Sequence, residues 1–306
     1  MKPSSFVATC LLYALSIAGA CAADPRSDLV VDAKWLTAHV NDPDIVLLHV
    51  GDEYDTGHIP GARRVTLDDI SVSEHTKTGL MLEMPAAEDL RARLQKLGIS
   101  DDSRVVVYYG KDWVSPSTRV VFTLQYAGLA NHTKLLDGGM GAWVRAGGKL
   151  SKDAPSTQPG TLSPLHVQPV VADRSYVREH IAAPGVAIVD GRAASYYEGV
   201  EVGGAHGQRD KVGHIKSAHS IPFTEITDEH LMLKSQAELQ ALFDRAGIGA
   251  GDTVVGYCHI GQQATAMLFA ARLLGHPVML YDGSFQDWSR GGDDTPVEAS
   301  VAKSTR

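Results

Sequence analysis

Short β-branched runs alternate along the chain with segments whose apolar residues recur at helical spacing. Val105–Tyr109 is followed by such a segment at Thr118–Ala127, and Thr253–Tyr257 by another at Ala264–Leu274. Helix ends are marked too. Leu90 and Leu94 share a face that stops at Gly98, and Leu239, Leu242 and Ala246 share one that stops at Gly247. Apolar strands separated by helices form parallel sheets, because the crossover helices cover both faces. The pattern predicts an α/β protein built from doubly wound parallel sheets with helices on both faces.

The same pattern occurs twice. Val31-Asp32-Ala33-Lys34-Trp35-Leu36, Pro43 and the run Ile45–Leu48 return as Val171-Ala172-Asp173-Arg174-Ser175-Tyr176, Pro184 and Val186–Val189. Gly57-His58-Ile59-Pro60-Gly61-Ala62 returns as Gly213-His214-Ile215-Lys216-Ser217-Ala218. Leu136-Asp137-Gly138-Gly139 with Trp143 returns as Tyr281-Asp282-Gly283-Ser284 with Trp288. Between the copies, residues 151–168 carry Pro155, Pro159 and Pro164 without apolar periodicity, as a linker would. Two domains are expected, at 28–150 and 169–296, followed by a polar tail at 297–306.

Composition narrows the function. With 306 residues, 44% of them apolar, the chain is long enough for two cores. The net charge of -8 and the lack of any Lys/Arg run exclude nucleic acid as an expected partner. Lys2, the apolar stretch Phe6–Ala18 and the small residues Ala20-Cys21-Ala22 before Asp24 read as a secretory signal over residues 1–22. That stretch is too short for a spanning helix. Two outcomes stay open. Cleavage after Ala22 gives a soluble exported protein, and lipidation at Cys21, after the lipoprotein-like Ala18-Gly19-Ala20, ties it to a membrane. The expected location is the bacterial periplasm.

Cysteine is scarce: Cys10 lies inside the signal, and Cys21 and Cys258 complete the set. Without an internal disulfide partner, Cys258 is either a buried small hydrophobe or a reactive thiol. Its neighbours favour the second. Cys258-His259-Ile260-Gly261-Gln262-Gln263 links the end of a predicted strand to the start of a predicted helix, where α/β sheets bind ligands. Successive main-chain N–H groups there can face one anion, the helix adds positive potential, and a cysteine in such a cradle is biased toward thiolate. Gly261 permits the tight curl. His206, His214 and His219 lack compact metal-ligand spacing, so no metal is expected.

Taken in order, Gly57–Ala62, its weaker copy at Gly213, Asp190-Gly191-Arg192, the loop from Cys258, and Tyr281-Asp282-Gly283-Ser284 with Trp288 resemble the tandem-domain rhodanese family, the thiosulfate/3-mercaptopyruvate sulfurtransferases. The resemblance spans nearly all of the chain after the signal. It implies two rhodanese-like domains of which only the second is active. In the first half the loop Gly110–Pro116 has no cysteine, and His49 and Gly51 stand where the second half has Asp190 and Arg192. It further implies that Cys258 takes sulfur from a small anionic donor as a persulfide, cradled by the main chain of His259 to Gln263. A thiol, cyanide or a protein would then accept the sulfur.

The match is incomplete. Thiosulfate-type loops resemble Cys-Arg-Lys-Gly and mercaptopyruvate-type loops Cys-Gly-Ser-Gly, whereas Ile260 stands two positions after this cysteine. Tyr196 replaces a second family arginine, so donor choice is not carried over. The second half also has an insertion, 197–212, absent from the first, which ends in Arg209-Asp210-Lys211. Arg209 and Lys211 are the candidates to supply the lost charge, with His259 and Gln262 lining the mouth. Asp190 and Arg192 are expected to be a buried scaffold pair, and Asp282 and Trp288 to fix the last strand-to-helix turn. A cysteine phosphatase would need an arginine six positions after the nucleophile, where this chain has Ala264. A sulfur carrier that does not turn over small donors, or a plain binding module, is the remaining alternative.

Overall fold

In the computed structural model, which describes residues 25–111, 113–156, 158–203 and 211–300, the β-branched runs become the strands of two five-stranded sheets. The first contains β1 (Val30–Val31), β2 (Ile45–Val50), β3 (Arg63–Arg64), β4 (Arg104–Tyr109) and β5 (Thr133–Leu136), in the spatial order β1-β5-β4-β2-β3. The second contains β6 (Val171–Ala172), β7 (Val186–Asp190), β9 (His219–Ser220), β10 (Thr253–Tyr257) and β11 (Val278–Tyr281), in the matching order β6-β11-β10-β7-β9. All neighbours in both sheets run parallel. A short antiparallel pair, β8 (His214–Ile215) with β12 (Val297–Glu298), lies beside the second sheet. The predicted α/β architecture and its duplication are both observed.

β4 and β10 are buried along nearly their whole lengths, which explains why they read as continuous β-branched runs rather than alternating ones. One face of the first sheet packs Leu36, Leu47, Ile59, Val106 and Trp143, and one face of the second packs Val177, Ile188, Val255, Phe285 and Trp288. The other two faces do not form separate cores. Val107, Val120 and Leu124 join Val254, Met267 and Leu268 in one cluster that crosses the domain boundary. This departs from the expectation of one core per domain, and the cause lies in two helices. Ser115–Tyr126 and Ala264–Leu273 are buried on nearly every side, so each must be covered both by its own sheet and by the other domain. Thr118 Oγ1 and Thr265 Oγ1 lie 2.9 Å apart where these helices meet.

Each domain also donates a main-chain N–H to a carboxylate of the other, in matching positions. Asp282, just after β11, accepts from Met84 N at 2.6 Å, and Asp137, just after β5, accepts from Leu233 N at 2.8 Å. Two residues before each donor, Leu82 and Leu231 share a left-handed backbone at φ 59°. The described residues of 151–168 form no helix or named strand but are pinned to the first domain. There Gly160 N donates to Gln95 O at 2.7 Å, and Leu162 is buried.

His49, on β2, is fully enclosed, and neither of its ring nitrogens meets a partner among the described residues. Burial, reinforced by the charges of His58 and Arg64, pulls its pKa down to about 4. An unfolded histidine takes up its proton near pH 6.5, so the unfolded chain binds more protons between there and about 4. Above that window His49 is neutral in both states and its titration contributes nothing to the pH dependence of stability. It lowers stability as the pH falls through it, by up to about 1.4 kcal/mol per pH unit. Urea titrations of the wild type and His49→Phe at pH 7, 5.5 and 4.5 should show the variant losing this part of the acid sensitivity; parallel curves would contradict the assignment.

Candidate active site

The end of β10 is fixed before the candidate nucleophile begins. Tyr257 Oη accepts from Ile215 N at 3.0 Å, and Gly191 N donates to Tyr257 O at 2.8 Å. Cys258 then bonds to the turn after β11: its N–H donates to Ser284 Oγ at 3.2 Å and its carbonyl accepts from Phe285 N at 3.0 Å. Ser284 holds a left-handed backbone, φ 51°, uncommon for a residue with a side chain, and its hydroxyl donates to Tyr281 O at 2.9 Å. His259 O accepts from Gln286 N at 3.0 Å. The chain then curls through Gly261 at φ 81° into the helix Ala264–Leu273. A Cβ at Gly261 would come within 2.9 Å of the Asp282 carbonyl, so only glycine fits this curl.

The main-chain N–H groups of Ile260, Gly261, Gln262 and Gln263 meet no acceptor among the described residues. Unspent peptide donors in a folded interior are rare and call for a ligand or solvent to satisfy them. Four in succession, at the start of a ten-residue helix, form a site of positive potential suited to an anion. Cys258 is enclosed, with 0% of its surface exposed, Ile260 and Gly261 are buried, and His259, Gln262 and Gln263 are half-buried. Sulfur exchange at Cys258 therefore requires the surrounding structure to open.

Asp190 and Arg192 form a buried ion pair. Arg192 Nη2 donates to Asp190 Oδ2 at 2.6 Å and to Gly213 O at 2.7 Å, and Nε contacts both carboxylate oxygens. Burial alone would lower the guanidinium pKa, but the charge and hydrogen bonds of Asp190 outweigh it and hold the pKa above the ordinary arginine value. The guanidinium lies 4.1 Å from the Phe285 ring centroid and 6.0 Å from that of Tyr196, whose ring meets His259 edge-on at 4.6 Å. Asp282 and Trp288 sit in the last turn, with Trp288 fully buried and its Nε1 donating to Pro296 O at 3.1 Å. Gln262 Nε2 reaches Ser115 Oγ of the first domain at 3.3 Å, and Gln263 Oε1 is buried without a partner among the described residues.

The expected cations fall differently. Arg209, like His206, lies outside the described residues. Lys211 does not offer a free charge: its ammonium donates to Gly292 O at 2.8 Å, to Thr295 O at 2.5 Å and to Thr295 Oγ1. An ammonium has three hydrogens, and all three are committed to this clamp. His214 is stacked on Tyr197 at 3.7 Å, and no group of His, Cys, Asp and Glu among the described residues is placed to hold a metal.

Two features of the site were not anticipated. Arg119, on the helix Ser115–Tyr126 of the first domain, is fully buried and reaches into the second, where Nη1 donates to Gly261 O at 3.0 Å and to Asp282 Oδ1 at 2.9 Å. The one signal for it was its being the only charge in a helix otherwise made of apolar and uncharged polar residues, which must find a partner when buried. The second feature is the register of the first domain. Tyr108 Oη accepts from Ile59 N at 3.0 Å, as Tyr257 does from Ile215, so Tyr109 stands where Cys258 stands. Its hydroxyl donates to Leu231 O at 2.5 Å, and the Glu53 carboxylate accepts from Lys111 N, so an internal carboxylate bonds the corresponding loop.

Removing Arg192 would leave the Asp190 carboxylate buried and unpaired. Arg192→Ala should cost about 3–5 kcal/mol in urea unfolding, and the Asp190→Ala/Arg192→Ala double variant should recover much of that loss. A single variant no less stable than the double would show that the charge is not buried as described.

With the geometry established, comparison with known proteins is informative. A family model described as a rhodanese-like domain matches residues 32–146 and again 173–290. The sulfur carrier protein TtuD of Thermus thermophilus is 30% identical over 275 residues, covering 85% of this chain and 93% of that protein. A thiosulfate sulfurtransferase of Pseudomonas aeruginosa is 30% identical over 276 residues, covering 88% of this chain and 97% of that protein. Among solved structures, the anaerobic ergothioneine biosynthesis enzyme of Chlorobium limicola matches with a TM-score of 0.77 at 21% identity, over 90% of this chain and 71% of that one. YnjE matches with a TM-score of 0.78 at 22% identity, over 90% and 69%. At such identities the structural likeness speaks for the fold alone. The family model and the curated relatives go further: this chain belongs to the rhodanese-like family, carries two rhodanese-like domains in tandem, and falls among the sulfurtransferases.

Proposed function

We propose that the protein transfers sulfane sulfur from a small anionic donor of the thiosulfate or 3-mercaptopyruvate class, through a persulfide on Cys258, to a thiophilic acceptor. The observation that carries this reading is the run of four unspent N–H donors, Ile260 to Gln263, directly after the lone thiol among the described residues. In the first step the Cys258 thiolate attacks the outer sulfur of the donor. The new S–S bond forms as the donor's bond to that sulfur breaks, and sulfite leaves with the bonding pair when the donor is thiosulfate. In the second, an acceptor such as cyanide or a thiol takes the outer sulfur and returns the thiolate. Both enzyme states are anions, so the same peptide donors stabilise each without a metal or cofactor.

One observation favours a second reading. Cys258 is enclosed, and one relative is named a sulfur carrier, so a protein acceptor that opens the loop on docking would also account for the site. Under this reading the chain holds the persulfide until that acceptor arrives. The leader at residues 1–22 lies outside the described residues, and no described helix is long and apolar enough to cross a membrane. Export to the periplasm, free or lipidated at Cys21, remains part of the proposal, and cell fractionation with and without residues 1–22 tests it.

Purified protein given thiosulfate or 3-mercaptopyruvate with cyanide should form thiocyanate, and Cys258→Ser should lower the rate by at least about a thousandfold. Thiocyanate formation that survives in Cys258→Ser would remove the cysteine from the reaction. Absence of product from the wild type, alongside a stable Cys258 persulfide, would favour the carrier. Because Ile260 supplies no charge, Arg209 is proposed to meet the anionic donor. Arg209→Ala should raise the donor KM about fivefold or more with little change in kcat, and an unchanged KM would place Arg209 away from the donor.

A further inference from the structure

We propose that Arg119, a residue of the domain without a cysteine, is a positioning residue for the persulfide loop of the other domain. It holds the Gly261 carbonyl outward so that the loop's N–H groups stay available to the sulfur anion. The inference rests on the sulfurtransferase reading of Cys258 and assigns the first domain a part in it.

The argument starts from peptide geometry. Where consecutive N–H groups of a loop serve one anion, the carbonyls of the same peptides turn away from it, and a carbonyl turned into a buried interface needs a donor of its own. Gly261 O is such a carbonyl, and its donor comes from 142 residues away in the chain: Arg119 Nη1, at 3.0 Å. The same nitrogen donates to Asp282 Oδ1 at 2.9 Å, and Nη2 donates to Leu82 O. A single planar fork thus ties the cradle, the turn after β11 and the domain-spanning loop at Leu82. There is little slack, because a Cβ on Gly261 would stand 2.9 Å from Arg119 Nη1.

The contribution is one of direction rather than net charge. Arg119 is matched by Asp282, with side-chain exposures of 0% and 6%. The other ionisable neighbour, Glu83, is raised to about 8 by burial and by the charge of Asp282, so near pH 7 it stays protonated and leaves the pair balanced. The duplicated fold supplies a control. In the first domain Asp137 plays the part of Asp282, accepting from Arg26 Nη2 at 3.0 Å, while Arg26 also donates to Lys234 O at 2.9 Å and Leu233 O at 3.1 Å across the boundary. Arg26 is therefore a boundary-spanning arginine whose partners named here do not include the persulfide loop.

The test compares Arg119→Lys, Arg119→Ala and Arg26→Ala in the full chain. Three readouts are taken: urea stability, the pH midpoint of thiolate absorbance at 240 nm after subtraction of a Cys258→Ser blank, and the rate of persulfide formation from thiosulfate. Both Arg119 variants should raise the thiolate midpoint by about one pH unit and slow persulfide formation about tenfold. Arg26→Ala should lose stability without moving the midpoint. Arg119→Lys keeps the positive charge but loses the fork, so it isolates direction from charge and covers the case in which Arg119→Ala does not fold. An unchanged midpoint in Arg119→Lys, or an equal shift in Arg26→Ala, would reduce Arg119 to interface packing and overturn the proposal. The midpoint is read without turnover. If the wild type forms no persulfide, the sulfurtransferase reading fails separately, while the midpoint still reports on the loop.

Discussion

A strand buried on both faces must end somewhere, and at the end of β10 the peptide groups of the following loop are neither inside a sheet nor yet inside a helix. The four N–H groups from Ile260 to Gln263 are left without acceptors among the described residues. Their desolvation is compensated when solvent or a ligand supplies acceptors, and an anion does so most strongly. The rest of the site can be understood from this constraint. Gly261 allows the curl, Ser284 and Phe285 tie its start to the neighbouring turn, Arg119 takes the carbonyl that faces the interface, and Cys258 stands in the chain just before the unspent donors.

The duplication shows how the same scaffold behaves when that constraint is met internally. In the first domain Tyr109 replaces the cysteine and bonds to Leu231 O, and the Glu53 carboxylate takes Lys111 N. His49 and Gly51 replace the charged pair Asp190 and Arg192, so the first sheet has a buried neutral ring where the second has a buried ion pair. Both solutions satisfy the packing of a doubly wound sheet. One leaves donors unspent beside a sulfur, and the other supplies its own acceptor. The shared interior then makes the copy without a cysteine more than an appendage, because the helices Ser115–Tyr126 and Ala264–Leu273 are covered only when both domains are present.

What could be read from the sequence was what local pattern encodes. The repeat, the parallel sheets and the loop opening at Cys258 follow from apolar period, glycine placement and motif order, each contained within a few tens of residues. The readings that changed depend on contacts between distant residues. Lys211 looked like a free cation beside a glycine-histidine motif, but Gly292 and Thr295, about eighty residues on, take all its donors. The part played by Arg119 is invisible in its own helix because its partners are supplied by the other domain. Tyr109 could be matched to Cys258 only once the hydroxyls of Tyr108 and Tyr257 fixed the register of the two sheets. The single shared core likewise emerges only when both apolar helices are seen to lack a solvent face.

The central claim is that the enclosed sulfur of Cys258 becomes a persulfide in the folded protein, and its 0% exposure makes this a demanding claim. Intact-mass spectrometry of the native protein after brief exposure to thiosulfate or 3-mercaptopyruvate tests it most directly, because no acceptor has to be assumed. The account predicts an added mass of about 32 Da that maps to Cys258, disappears with cyanide and is absent from Cys258→Ser. A native protein that stays unmodified with both donors, yet gains the adduct once unfolded, would show a thiol sealed in the interior and would contradict the account.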